Sequence, residues 1–144
     1  MSMQITDPRA TNNSGTAESG VVSFGYPVGT TAVKANDLVA LLCDSVGRIT
    51  VTPAASGVHA ASTKCAVAKH AGLPGEVVQC VLIGPALVNA PGTAPAIGAG
   101  IGIGATAGVI AGVTADATTV VGTVKGVVLT AEVGTSDKVW AWVQ

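Results

Sequence analysis

His59 and His70 are the only imidazoles in the chain, and Cys43, Cys65 and Cys80 are its only thiols. Cys65, His70 and Glu76 fall near enough in sequence to suggest a nucleophile, a base and an orienting acid. Such chemistry needs all three groups in one cleft, and it is usually announced by a local signature such as a nucleophile elbow. No such signature surrounds these residues. A structural metal site needs four convergent ligands, and Cys65 with His70 makes only a pair. Of the eight acidic residues, Asp37, Asp44, Glu76 and Asp137 sit beside predicted strands and turns, positions that acidic side chains occupy for backbone reasons. Gly100-x-Gly102-x-x-Ala105 satisfies the permissive dinucleotide fingerprint. That motif places a pyrophosphate at a helix N-terminus, whereas Gly108, Gly112 and the β-branched residues between them oppose a helix, and Asp116 comes too early for the ribose partner. The reading is therefore no catalytic residue, no metal ligand and no cofactor-binding residue. An enzyme remains a rival class whose only support is Cys65 with His70.

The elements around these residues are built from an unusual composition. The chain has 144 residues; 49% are hydrophobic and only 10% charged, against roughly 25% in ordinary globular proteins. Aromatics make up 3% and there are 19 glycines, so Ala and Val must form the core. Seven basic and eight acidic side chains give a net charge of −1, which excludes a basic nucleic-acid binder. Lys64 and Lys69, the close basic pair, have no aromatic between them for base stacking. The three cysteines, odd in number and set in apolar phrases such as Leu41-Leu42-Cys43, read as reduced, buried small hydrophobes made in a cytosol. The N-terminus has neither a basic n-region nor an apolar h-region, so no secretory signal is expected. No charged residue occurs between Glu76 and Asp116, and Gly100, Gly104, Gly108 and Gly112 repeat at the small-xxx-small spacing. Pro85, Pro91 and Pro95 break that stretch, and the remainder is too short and too glycine-rich for a membrane helix. A surface this poor in charge is expected to meet another protein.

Residues 1–20 are polar and turn-rich and read as an extended N-terminal arm that orders on a partner. From Val21 onward, short Val, Ile, Leu and Thr runs are interrupted by Gly, Pro, Asn or Asp, which is all-β punctuation. Strands are expected over residues 21–24, 37–43, 48–52, 77–83 and 138–144. The second and third form a hairpin about residues 44–47, and Gly84-Pro85 ends the fourth. Residues 60–70 are the best helix candidate, and they are short and uncapped. Phrases near residues 37–51 and 66–81 echo phrases near 100–113 and 126–142 at an offset of about 60 residues, which suggests two related β-units, about 33–83 and 96–143, in one domain spanning 21–144. In the last strand Trp140 and Trp142 share one face and Val139, Ala141 and Val143 the other. The two indoles either cap the core or anchor a subunit contact, where Trp is enriched.

The phrases Val33-Lys34-Ala35-Asn36-Asp37-Leu38-Val39-Ala40-Leu41, Gly75-Glu76-Val77-Val78-Gln79-Cys80-Val81-Leu82-Ile83-Gly84-Pro85, Ala96-Ile97-Gly98-Ala99-Gly100, Val121-Gly122-Thr123-Val124-Lys125-Gly126-Val127-Val128-Leu129 and Asp137-Lys138-Val139-Trp140-Ala141-Trp142-Val143 resemble the capsid decoration, or head cement, proteins of tailed bacteriophages. The resemblance runs from Val21 to Gln144. It implies an all-β, compact sandwich or barrel-like domain of the β-tulip type with little helix. It further implies a homotrimer on the outer surface of the virion, made in the host cytoplasm, that cements neighbouring subunits of the major capsid protein. Neither nucleic acid nor membrane is an expected partner, and no cofactor is expected. The candidate interface residues are Gln4, Ile5, Thr6, Thr11, Asn12 and Asn13 in the arm and Trp140 and Trp142 in the last strand. The alternative is a carbohydrate- or cell-surface-binding β-module displayed on a particle, with Phe24, Tyr26, Trp140 and Trp142 as its aromatic platform.

Overall fold

A computed structural model describes residues 21–114, 116 and 118–144. In chain order the strands are β1 Val22–Pro27, β2 Leu38–Cys43, β3 Ile49–Pro53, β4 Cys65–Ala68, β5 Val77–Asn89, β6 Gly100–Ile103, β7 Ile110–Val113, β8 Gly126–Val128 and β9 Lys138–Val143. No described residue is helical, and the helix candidate at residues 60–70 instead contains β4. Its Cys65, Ala66, Val67 and Ala68 are all buried, and β-branched and small residues between two cores favour an extended chain.

The strands form one nine-stranded antiparallel sheet, curled into a half-barrel, in the order β3-β2-β4-β5-β9-β8-β6-β7, with β1 also paired to β5. The order divides at the β5–β9 pairing into two runs, β3-β2-β4-β5 and β7-β6-β8-β9, that follow the same sequence of neighbours. The β2–β3 hairpin forms as expected, with Leu41 opposite Val51. Its turn is tied by Asp44, whose carboxylate accepts from Val46 N at 3.0 Å and Arg48 N at 2.8 Å and pairs with Arg48 Nε at 2.9 Å.

Gly84-Pro85 does not end the fourth strand; β5 runs through it to Asn89. Two local features allow this. Val22 pairs with Ile83 and Ser23 with Val81, so Leu82 is an extra residue, and Gly84 follows at φ 121°, a conformation that side chains disfavour. The bulge reverses the strand: Val78 and Cys80 point into one core cluster, Ala86 and Val88 into the other. Pro85 pairs with Trp142. Ala90 N bonds to Asp137 O, so the ladder's hydrogen-bonded positions fall on even-numbered β5 residues, and the missing N–H of Pro85 is not needed.

Two clusters line the two faces of the sheet. The larger joins Leu38, Val67, Val88, Ile101, Val128 and Val139 across both runs of strands; the smaller joins Val28, Val33, Val51, Ala66, Val78 and Cys80 in the first run. Each fully buried Val, Ile or Leu contributes about 1.5–3 kcal/mol, which is how a core without rings accumulates enough apolar burial to fold.

Candidate protein-interaction face

Strand β9 alternates as its sequence predicts. Val139, Ala141 and Val143 are fully buried, while Trp140 and Trp142 are 43% and 40% exposed on the opposite side. Cross-strand partners share a face, so Trp140 stands beside Leu87 of β5, and Trp142 lies between Pro85 of β5 and Val127 of β8. Leu129, two residues beyond Val127, extends the same side, and its N donates to Trp140 O at 2.8 Å. Val127 and Leu129 are exposed as well. Three adjacent strands thus present two indoles flanked by Pro85, Leu87, Val127 and Leu129, with Asn36 and Lys69 lining the groove beside Trp140. The indoles do not cap the core, because the core is closed by the alternate residues of the same strand. Gln4, Ile5, Thr6, Thr11, Asn12 and Asn13 lie outside the described residues, as does the whole arm over 1–20.

Cys65, His70 and Glu76 do not form a site. Cys65 is buried at one end of β4, and burial pushes its thiol up to about 11 despite the opposing influence of Lys125 and Lys64. His70 lies beyond the other end, where its Nε2 accepts from Gln79 N at 3.2 Å, leaving Nδ1–H to donate to Ala71 O at 3.0 Å. Glu76 Oε1 accepts from Leu73 N at 2.8 Å and closes a turn. His59 Nδ1 likewise accepts from Ala55 N at 3.2 Å. Among the described residues no group of three His, Cys, Asp or Glu could hold a metal ion, and no helix is long and apolar enough to cross a membrane. Cys43, expected to be buried, is exposed. It ends β2, past the point where that strand leaves the core, so its apolar sequence context misleads.

Two charged residues that sequence patterning did not single out as core are buried. Asp37 is 4% exposed, and its carboxylate accepts from Lys34 N at 2.8 Å and from Asn89 Nδ2 at 2.9 Å. Burial outweighs these bonds and holds its carboxyl above the usual carboxylate range. Lys125 is 3% exposed, and its ammonium donates to Thr63 O at 2.6 Å and to Gly122 O. Burial holds its pKa below the usual lysine value. Both pin loops to the sheet, Asp37 at the start of β2 and Lys125 at the start of β8. One partner of each comes from a distant part of the chain, Asn89 for Asp37 and Thr63 for Lys125, which is why no local pattern marks them.

The fold is all-β, a single curled antiparallel sheet. No protein-family model matches the chain, and no curated protein matches it. Among solved structures it is similar to the crystal structure of the N base of the head fiber gp8.5 of bacteriophage phi29, with a TM-score of 0.55 and 21% identity over 86% of this chain and 94% of that one. At that identity the likeness shows a shared fold.

Proposed function

We propose that the protein is a structural component of a bacteriophage virion. It binds the outer surface of the head as a homotrimer and cements neighbouring subunits of the major capsid protein. The observation that carries this reading is the uncovered Trp140 and Trp142 face: two indoles on adjacent outward positions of one strand, flanked by Pro85, Leu87, Val127 and Leu129. Such a face matches a subunit contact, where aromatic anchors supply most of the binding energy. The phage head supplies the context, since the structure sharing this fold is part of a head fiber. The protein performs no reaction in this account.

The test is a Trp140→Ser/Trp142→Ser double variant. Its far-UV circular dichroism should match the parent, because both side chains lie outside the core. In sedimentation velocity the parent should run as a trimer and the variant as a monomer, and the variant should lose head binding, since a trimer multiplies a modest contact. A parent that stays monomeric at micromolar concentration, or a variant that binds heads as tightly as the parent, contradicts the proposal.

A further inference from the structure

We infer that the protein carries a binding groove for a neutral saccharide, built beside β3 and away from the Trp140 and Trp142 face. The groove encloses about 460 Å³, within the roughly 300–1,000 Å³ of small-ligand sites. Three segments converge on it. Strand β3 supplies Thr50 and Thr52, which share one face of the strand while Val51 between them enters the smaller core cluster. The stretch after β1 supplies Thr30 and Thr31, and it is tied to β3 where Gly29 N donates to Val51 O at 2.9 Å. The loop after β3 supplies His59, and it is held where Ala54 N donates to Leu38 O and His59 N to Ala55 O, each at 2.9 Å. These backbone bonds set the groove before a ligand arrives, so binding orders few groups.

Threonine favours strands for its β-branch alone, so Thr50 and Thr52 taken singly say little. What marks this set is the state of its polar groups. Among the described residues none of the four threonine hydroxyls has a hydrogen-bond partner. His59 Nδ1 accepts from Ala55 N at 3.2 Å, so the neutral ring carries its proton on Nε2, which is left as a donor. Hydroxyls both donate and accept, and four of them with one N–H match a ligand that is itself rich in hydroxyls. No lining residue other than the neutral imidazole is titratable, which argues against a phosphate, a carboxylate or a metal ion, ligands that draw on charged partners. Leu42, opposite Thr50 on β2 and 40% exposed, and the exposed Val58 give the groove an apolar side for the C–H face of a sugar ring. None of Phe24, Tyr26, Trp140 and Trp142 lines it, and β2, β4 and β5 lie between β3 and β9 in the sheet. The groove therefore stands apart from the proposed subunit contact and does not rest on the virion role.

The test is a titration of the isotope-labelled full chain, followed by its amide resonances, with maltotriose, triacetylchitotriose and galactose, and with inorganic phosphate and citrate as anionic controls. At least one neutral sugar should move the Thr30, Thr50, Thr52 and Ala55 amides saturably, and neither anion should. No saturable shift with any of the three sugars overturns the inference, as do shifts centred elsewhere on the sheet or equal shifts with the anions. Thr50→Val/Thr52→Val keeps shape and β-propensity while removing two hydroxyls. Its circular dichroism should match the parent, and its affinity for the sugar should fall by at least about fivefold. His59→Asn keeps an acceptor for Ala55 N and removes the Nε2–H, and should weaken binding roughly two- to tenfold. Unchanged affinity in either variant also overturns it.

Discussion

Gly108→Ala is predicted to be among the most damaging single-methyl additions to this fold. Gly108 lies between β6 and β7 at φ 81°, and a Cβ there would stand 2.3 Å from Asp37 Oδ1 and 2.5 Å from its Cγ. The backbone cannot swing aside, because Gly108 N donates to Ala54 O at 2.9 Å and Gly108 O accepts from Leu38 N at 2.8 Å. Asp37 must therefore move, and its bonds from Lys34 N and Asn89 Nδ2 go with it. Holding alanine in the left-handed region costs about 1–2 kcal/mol. Losing a buried hydrogen bond to a charged group costs about 1.5–3 kcal/mol. The expected loss is about 3–5 kcal/mol, a large part of the roughly 5–15 kcal/mol that a domain has. Urea unfolding of the parent, Gly108→Ala, Asp37→Ala and the double variant completes a cycle. With the carboxylate gone, Gly108→Ala should cost only the backbone strain, about 1–2 kcal/mol. A single-variant loss below about 1 kcal/mol, or the same loss with and without Asp37, refutes the reasoning.

Asp37 also predicts a pH dependence. Burial raises its carboxyl pKa in the fold, so the native state binds the proton more readily than the unfolded chain, and stability from this group rises as pH falls through the raised value. Asp37→Asn should remove that rise, as read from melting temperatures between neutral and mildly acidic pH. Asp44 and Asp116 work in the opposite sense, because hydrogen bonds hold their carboxyls low; identical pH profiles for parent and variant contradict the assignment. Lys125→Met keeps the aliphatic stem but leaves Thr63 O and Gly122 O without their donor, and should cost about 1–3 kcal/mol in the same unfolding assay; no change in midpoint speaks against the ammonium as a staple. Of the three thiols, Cys43 should react rapidly with a disulfide reagent in the native protein, while Cys65 and Cys80, buried and pushed up to about 11, should react only on unfolding. Rapid labelling of all three would show the core to be open.

Strands whose two faces differ were legible in the sequence. Arg48-Ile49-Thr50-Val51-Thr52 and Lys138-Val139-Trp140-Ala141-Trp142-Val143 alternate because one side of each meets the core. From that alternation it could be read that Trp140 and Trp142 share one face, though not whether that face is the core or the outside. That depended on the partners of β9, which are set by a long-range pairing with β5. The extent of β5 was hidden for a different reason: Gly84-Pro85 ordinarily ends a strand, and only the bulge at Leu82 and the non-bonded position of Pro85 let it continue. Asp37 and Lys125 were invisible because their burial is created by Asn89, Gly108, Thr63 and Gly122, none of them sequence neighbours of Asp37, and only Gly122 close to Lys125. Cys43 shows the converse error, an apolar phrase that runs past the edge of the core.

The central claim, that this is a head-binding structural protein, is tested most directly by co-sedimentation of the purified full chain with heads of the cognate phage. The account predicts saturable binding to empty expanded heads and none to unexpanded heads or to unrelated shells. Equal recovery with all three, or none with expanded heads, would contradict it.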